Sequence, residues 1–216
     1  SRDTILWGKN AAVSSVHLVP ILKQARSNGA RIWLIDPVRH KSVSLADHVL
    51  APAPGRDFEF AMGLAAVLFE GGHVPLTTSD FCDNLPQYRA LAQSCSVAEW
   101  AQLAEVAEDD IRELAGRFAD GPTSILVGWG IQRRQRGGAT VRALDALCAI
   151  SGNLFRKGGG VSFYFARRKV FRAFGPTVEH PRTIREPLLG GDMIAAADPP
   201  VRIAWVTAGN PVAMLP

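Results

Sequence analysis

The sequence predicts an α/β fold, a doubly wound and mostly parallel sheet of Rossmann-like layout. Three observations carry this. Short apolar runs of strand length, Thr4-Ile5-Leu6-Trp7, Arg31-Ile32-Trp33-Leu34-Ile35 and Thr123-Ser124-Ile125-Leu126-Val127, end in Gly or in Asp-Pro, the profile of buried strands bounded by turns. Segments with helical spacing of apolar residues separate them. The first strand, helix and second strand fill roughly 35 residues, the size of one βαβ unit, and such units cross over right-handed and leave their strands parallel.

The elements follow in order. Ser14 and Ser15 offer N-caps for a helix through Ala25-Arg26, on which Val16, Val19 and Ile21-Leu22 recur at helical spacing. Pro20 must then sit in its first turn or kink it. Asn28-Gly29 closes it. After Asp36-Pro37, the run His48-Val49-Leu50-Ala51 reads as a third short strand. A helix from about Asp57 to Phe69 carries Phe58, Ala61-Met62, Ala65 and Leu68-Phe69 on one side, and Gly71-Gly72 stops it. Residues 73–118 read as a helical insertion, with amphipathic helices over Glu99–Ala107 and Asp109–Phe118. Asp109 and Asp110 lie in the first turn of the latter, where the helix dipole favours anions. The strand Thr123–Val127 is followed by a tight turn, Gly128-Trp129-Gly130, and by an apolar helix, Ala139–Ile150. Gly152-Asn153 and Gly158-Gly159-Gly160 bracket a loop. Residues 161–200 read as irregular, and a last strand, Val201–Val206, leads into Gly209-Asn210-Pro211. No repeat of fixed period appears. The chain is expected to be one folding unit over 1–216.

Composition excludes several classes. The 216 residues carry 24 Lys+Arg and 20 Asp+Glu, a net charge of +4, and 47% hydrophobic side chains. A chain of this size buries roughly 70% of its unfolded surface and needs no disulfide or metal to hold a core. No run approaches the roughly 18 apolar residues of a membrane span. Cys82, Cys95 and Cys148 are odd in number and scattered, which argues for reduced structural thiols and against a metal site or a disulfide framework. Ser1 begins no signal-peptide pattern, and the chain is expected to be a piece of something longer.

In doubly wound folds ligands bind beyond the carboxyl ends of the strands, near the topological switch. Here those ends read as a set: Gly8-Lys9-Asn10, Asp36-Pro37, Gly55-Arg56-Asp57, Gly128-Trp129-Gly130 and Gly209-Asn210. Glycine lets backbone amides approach a phosphate. A carboxylate after the second strand suits the hydroxyl pair of a ribose, and a second, Asp57, suits the adjacent N–H donors on the edge of a guanine. Together they describe a nucleotide site, although each alone is an ordinary turn or strand exit. The segment after the first strand, Gly8-Lys9-Asn10-Ala11-Ala12-Val13, is not GxGxxG, and no Walker A sequence exists, so standard NAD and ATP sites are disfavoured.

Arg133, Arg134, Arg136, Arg142, Arg156, Lys157, Arg167, Arg168, Lys169 and Arg172 fall in one stretch in which Asp145 is the only acid. It is either a solvated basic face, or a lining for a polyanionic ligand or an acidic neighbour. Phe163, Tyr164, Phe165, Phe171 and Phe174 interleave with it, but there is no recognition-helix or RNP pattern, so nucleic acid is not expected as a partner. His17, His40, His48, His73 and His180 read as structural, with a ligand contact near the nucleotide site as the alternative for His40 alone. No acid, base or nucleophile set appears, and no GxSxG. A nucleotide site without such a set suits a cofactor-holding domain.

The order of these motifs resembles the central domain of molybdopterin oxidoreductases of the dimethyl-sulfoxide-reductase type, which carry molybdenum on two molybdopterin guanine dinucleotides. The resemblance runs from Ile5-Leu6-Trp7-Gly8-Lys9-Asn10 through Ile35-Asp36-Pro37-Val38-Arg39, Ala46-Asp47 and Pro54-Gly55-Arg56-Asp57. It continues through Gly128-Trp129-Gly130, Gly137-Gly138 and Ser151-Gly152-Asn153 to Gly158-Gly159-Gly160, and ends at Gly209-Asn210-Pro211. It implies cofactor contacts at Gly8, Lys9, Asn10, Asp36, Arg39, Gly55, Asp57, Trp129, Gly130, Arg133 and Asn210. The implied cofactor is molybdopterin guanine dinucleotide with molybdenum or tungsten. A 4Fe-4S cluster and the residue that ligates the metal are expected only upstream of this segment. The implied partners are the N- and C-terminal domains of the same enzyme, a small-molecule substrate and an electron-transfer subunit. The cytoplasm is the expected compartment, with the periplasm as the alternative.

His40 and Ser42 depart from the threonines usual after the Asp-Pro element. The loop after Gly160 lacks the Arg-Gly-rich segment of formate dehydrogenases, which disfavours formate. Two alternatives stay open: a non-catalytic structural relative of the kind found in respiratory NADH–quinone reductases, and the central domain of a thiamine-diphosphate enzyme.

Overall fold

A computed structural model of the chain describes residues 1–163, 182, 184, 188–207 and 210. The basic and aromatic residues from Tyr164 to Phe174, together with His180, Gly209 and Pro211, lie outside the described residues. The chain divides into Ser1–Ala166 and Arg167–Pro216, and each is described by itself.

The first unit is built on five parallel strands: β1 (Asp3–Trp7), β2 (Arg31–Ile35), β3 (His48–Leu50), β4 (Thr123–Val127) and β5 (Gly160–Ser162). Their order is β3-β2-β1-β4-β5. The chain thus steps outward from β1 to one edge and then returns to the other side of β1. The switch lies between β1 and β4, whose registers pair Asp3 with Thr123 and Trp7 with Val127.

Every residue of β1 is buried, as a central parallel strand covered on both faces must be. The pleat sorts its side chains. Ile5 and Trp7, with Trp33, Ile35, Ile125 and Val127, face the larger core, while Leu6, Ile32 and Leu34 join Ala11, Leu22 and Leu45 in the smaller one. The larger core is filled by α3 (Asp57–Glu70), α5 (Val97–Ala104), α6 (Glu108–Asp120) and α7 (Gly137–Ile150), with α4 (Leu85–Ala92) beside α3. Phe60, Met62, Leu64, Ala66 and Leu68 of α3 are all fully buried. An α-helix apolar all round belongs inside a core rather than on a surface, and α3 is sandwiched between the sheet and the other helices. The smaller core is covered by α1 (Ala11–Ser14) and α2 (Leu18–Ser27).

Several expectations need correction. The helix expected from Ser14 or Ser15 begins later, at Leu18 behind His17, and Ser14 ends the separate short α1; Pro20 is the third residue of α2, where its missing N–H is not needed. The expected tight turn after β4 is a 3₁₀ turn over Trp129–Arg133. The larger correction concerns the last strand. Val201–Val206 forms no strand, and Ile203 and Trp205 are almost fully exposed. A β-favouring run becomes a strand only when a neighbour accepts its ladder, and none of the described strands pairs with it. The fifth strand is instead Gly160–Ser162, inside the segment expected to be irregular. The second unit also contains α8 (Leu189–Ala195) and one isolated bridge between Ala197 and Pro200.

Two motifs prove to be structural. Asn153 is fully buried at the amino-terminal edge of the sheet: Thr123 N donates to its Oδ1 at 2.9 Å, and its Nδ2 donates to Phe118 O and to Ser151 Oγ, each at 2.8 Å. One side chain therefore satisfies groups from the end of α6, the start of β4 and the end of α7. Asn153→Ala removes the side-chain partners of Thr123 N and Phe118 O, while Ser151 Oγ keeps Leu147 O, so a loss of about 3 kcal/mol is expected. Urea unfolding checks this through a lower midpoint at unchanged slope. A shift worth less than about 1 kcal/mol would mean that they find other partners. Asp47 plays a similar role at the same end of the sheet, immediately before β3. Its Oδ2 accepts from Ile32 N at 2.9 Å, and its Oδ1 pairs with Arg26 of α2 at 2.6 Å.

Candidate functional site

The carboxyl ends of β1 and β4 meet at the switch more closely than side chains would allow. Gly8 has a φ of +59°, and Gly128 N donates to Trp7 O at 2.7 Å. A Cβ on Gly128 would lie 1.7 Å from the carbonyl oxygen of Gly8. The two exits cross here with backbone against backbone.

Two cavities open from this crossing and share Gly8 and Gly130. The larger, about 740 Å³, is lined by Lys9, Asn10, Ser14, Ser15, Trp129 and Phe163 among others. The smaller, about 110 Å³, is lined by Asp36, Pro37, Val38, Gly55, Asp57, Ile131 and Arg134. Residues from five separate loops thus converge on one trough along the strand ends. Of the expected set, Gly8, Lys9, Asn10, Asp36, Gly55, Asp57, Trp129 and Gly130 line it. Arg39 and Arg133 are exposed and line neither cavity; Arg134 takes that place beside the carboxylates. Asn210 belongs to the second unit, where it is exposed.

Asp57 opens α3, and Trp7 Nε1 donates to its Oδ1 at 2.8 Å. Trp7 is itself held against Phe60, with ring centroids 5.3 Å apart. Burial raises the Asp57 carboxyl above its ordinary value; the Trp7 hydrogen bond and the charge of Arg134 pull the other way, and Asp36 adds to the rise. A buried carboxylate with one oxygen engaged is poised to accept N–H donors from a ligand.

Asp36 is held at two points. Its Oδ1 accepts from Val38 N at 2.9 Å, and its Oδ2 lies 3.2 Å from His40 Nε2. Ser42 N donates to His40 Nδ1 at 3.2 Å. Since Nδ1 accepts, the neutral imidazole carries its proton on Nε2 and donates it to Asp36. Ser42 is fully buried; its Oγ accepts from Ala12 N at 3.0 Å and donates to Asn10 Oδ1 at 2.9 Å.

Asp36, His40 and Ser42 superficially match the composition of a nucleophilic triad. The geometry denies it: His40 receives the backbone N–H of Ser42, and the hydroxyl is engaged with Asn10 instead. Cys148 is no better a nucleophile, because burial pushes its thiol up to about 12. All three cysteines are free, and among the described residues no cluster of His, Cys, Asp and Glu could hold a metal. No helix described is long and apolar enough to cross a membrane. The trough thus presents Lys9, the Asn10 amide and two carboxylates, groups whose chemistry suits an anion, a diol and a base edge.

Sequence reasoning did not find Ser42, Trp7 or Arg134 as site residues. The Trp7–Asp57 and Ser42–Ala12 contacts join residues 50 and 30 positions apart, and local pattern carries no trace of them. The Asp36–His40 pair, four residues apart, was within reach of local reading.

A family model for molybdopterin oxidoreductases matches residues 2–195. The chain is 33% identical to the probable oxidoreductase YyaE of Bacillus subtilis (strain 168), over 100% of this chain and 33% of that protein. It is 33% identical to an assimilatory nitrate reductase of Haloferax mediterranei, over 69% of this chain and 21% of that one. Against a dimethyl sulfoxide/trimethylamine N-oxide reductase of Rhodobacter capsulatus the identity is 30%, over 74% and 20%. Among solved structures, acetylene hydratase from Pelobacter acetylenicus matches with a TM-score of 0.63 at 23% identity, covering 72% of this chain and 22% of that one. The last match speaks to the fold alone. The chain spans a third or less of the length of each of these relatives.

Proposed function

Because the chain belongs to the molybdopterin oxidoreductase family, we propose that its sheet unit holds the guanine nucleotide end of a molybdopterin guanine dinucleotide within a longer molybdenum or tungsten oxidoreductase. The observation that carries this is the convergence of Asp36, Asp57, Gly8, Gly55 and Gly130 on one small cavity beside the switch.

The residues present suit such a group. Gly8 and Gly130 line both cavities, and without side chains there a pyrophosphate can come close to the backbone. Lys9 and the Asn10 amide supply donors for phosphate oxygens in the larger cavity. Asp36 accepts from ribose hydroxyls, and Asp57 accepts from the guanine edge with Arg134 balancing its charge. When bound, the cofactor supplies two-electron redox or oxygen-atom transfer at its metal, and the protein's part is orientation and electrostatics. In this reading the metal ligand, any iron–sulfur cluster, the substrate pocket and the docking face for an electron-transfer subunit belong to other parts of the enzyme.

Metal analysis of the full-length protein, together with nucleotide released by acid hydrolysis, tests the reading. Molybdenum or tungsten accompanied by guanine nucleotide is the expected result. Absence of both, from cells that load other enzymes of the family, would favour the structural-relative alternative. The intact Asn10, Asp36 and Asp57 set argues against that alternative.

A further inference from the structure

We propose that His40 and Ser42 are positioning residues that set ribose selectivity at this site, by fixing Asp36 as an acceptor and Asn10 as a donor through one continuous relay. The proposal rests on the nucleotide reading above and goes beyond it by naming what aims its two ends.

The first observation is a misplaced cap. Asn10 is the N-cap residue of α1, and asparagine is among the strongest N-cap formers, yet its side chain caps nothing. The bond it would normally make comes from Ser42, on a different loop, whose Oγ accepts from Ala12 N. The same hydroxyl donates to Asn10 Oδ1, so the amide is turned with its oxygen inward. Its Nδ2 has no partner among the described residues, and Asn10 lines the larger cavity, which leaves this donor to a ligand. Ser42 has taken over the structural task, and Asn10 is left to a ligand.

The second observation lies at the other end of the relay. An isolated Asp36 side chain after a strand would rotate freely about χ1. Here Val38 N holds one oxygen and His40 Nε2 the other, and Ser42 N in turn orients the imidazole. Each carboxylate oxygen accepts one protein bond and keeps a lone pair for a ligand. A vicinal diol, whose two hydroxyls both donate, matches that pair. With the carboxylate already held, little rotamer entropy is lost when the diol binds. The relay runs Asp36–His40–Ser42–Asn10, so the ribose acceptor and the phosphate donor sit on one rigid strip.

The competing interpretation is that the same bonds merely close the loop. Selectivity separates the two, because a loop defect weakens every nucleotide alike while a loss of aim weakens those with hydroxyls. The full-length protein, purified free of cofactor, is titrated calorimetrically with GDP and with 2′,3′-dideoxy-GDP. The wild type is expected to prefer GDP by about tenfold or more, the value of hydrogen bonds to a carboxylate.

His40→Asn keeps an acceptor where Nδ1 stands and withdraws the donor to Asp36. It should lose most of the preference, with GDP affinity down about tenfold and dideoxy-GDP affinity unchanged. His40→Gln restores a donor where Nε2 stands and should restore the preference. Equal loss for both nucleotides in His40→Asn, or a preference retained there while Asp36→Ala loses it, overturns the positioning role and leaves the nucleotide reading intact. A wild type that shows no preference, and is matched by Asp36→Ala, overturns the reading of Asp36 itself. Should His40→Asn fail to fold, His40→Gln alone decides: retention of the preference supports the donor to Asp36, and loss in a folded protein overturns it.

Discussion

Gly128→Ala is expected to lower the stability of the sheet unit by about 3 kcal/mol, at the upper end of overpacking effects, and to abolish nucleotide binding. The added methyl would start 1.7 Å from Gly8 O and 3.1 Å from Lys9 Cα. Neither is the end of a flexible side chain, so no rotamer change relieves the clash. Gly8 cannot yield easily, because it holds a φ of +59° with Ile131 packed against it. The exits of β1 and β4 must part, and the Gly128 N–H loses its bond to Trp7 O. Gly130→Ala is the control. Gly130 lines both cavities, but an added Cβ meets nothing within 4 Å, so stability should be nearly unchanged. Thermal unfolding of the two variants distinguishes them. A midpoint for Gly128→Ala within about 2 °C of the wild type, worth less than about 1 kcal/mol at this size, would show that the exits can separate freely.

The crossing also explains why the fold was legible in the sequence while parts of the site were not. β1, β2 and β4 are short continuous apolar runs because both faces of a central parallel strand are covered, and that pattern survives in one dimension. β5 left no such trace. It is three residues long, begins with glycine and lies at the edge, and it is fixed by pairing with Ser124–Leu126 rather than by its own side chains. Val201–Val206 has the opposite character, with strong strand propensity and no ladder among the described strands. The glycines, Asn10, Asp36 and Asp57 were legible because they follow strands. What aims them was not, since Ser42 and Trp7 reach them through tertiary contacts.

The family motifs therefore divide between the two ends of the sheet. Asn153 joins α6, β4 and α7 at the amino-terminal edge, and the glycines after it permit close packing there: a Cβ on Gly159 would meet Asn153 O at 2.4 Å. The motifs at the carboxyl end line the trough. Substitution at the first group should change stability and leave nucleotide selectivity alone. At the second the two effects can carry opposite signs, and Asp57 is the sharpest case.

Asp57→Asn is expected to stabilise the ligand-free protein while weakening guanine nucleotide binding about a hundredfold, as for the loss of two hydrogen bonds to a charged acceptor. Burial is the largest influence on this carboxyl and raises its pKa above the ordinary 3.8. Between the unfolded and the folded value, the native state therefore binds more protons than the unfolded state. Stability falls as pH rises through that window and stays reduced above it. Below about 3.8 both states are protonated and the penalty vanishes. Asparagine carries no charge to desolvate and can still accept from Trp7 Nε1. Its advantage in unfolding free energy should therefore be absent in acid, grow above pH 4 and be full at neutrality. Binding responds the other way. A guanine edge offers adjacent N–H donors, and the asparagine amide turns one acceptor into a donor facing them. GDP should lose far more affinity than IDP, which lacks the exocyclic amine, so the wild type's preference between them should collapse in the variant. Equal losses for both nucleotides would place the base elsewhere, and a variant less stable than wild type at pH 7 would mean that Arg134 and Trp7 outweigh burial. Both results together, a more stable empty fold and a lost guanine preference, would mark this end of the sheet as the functional one.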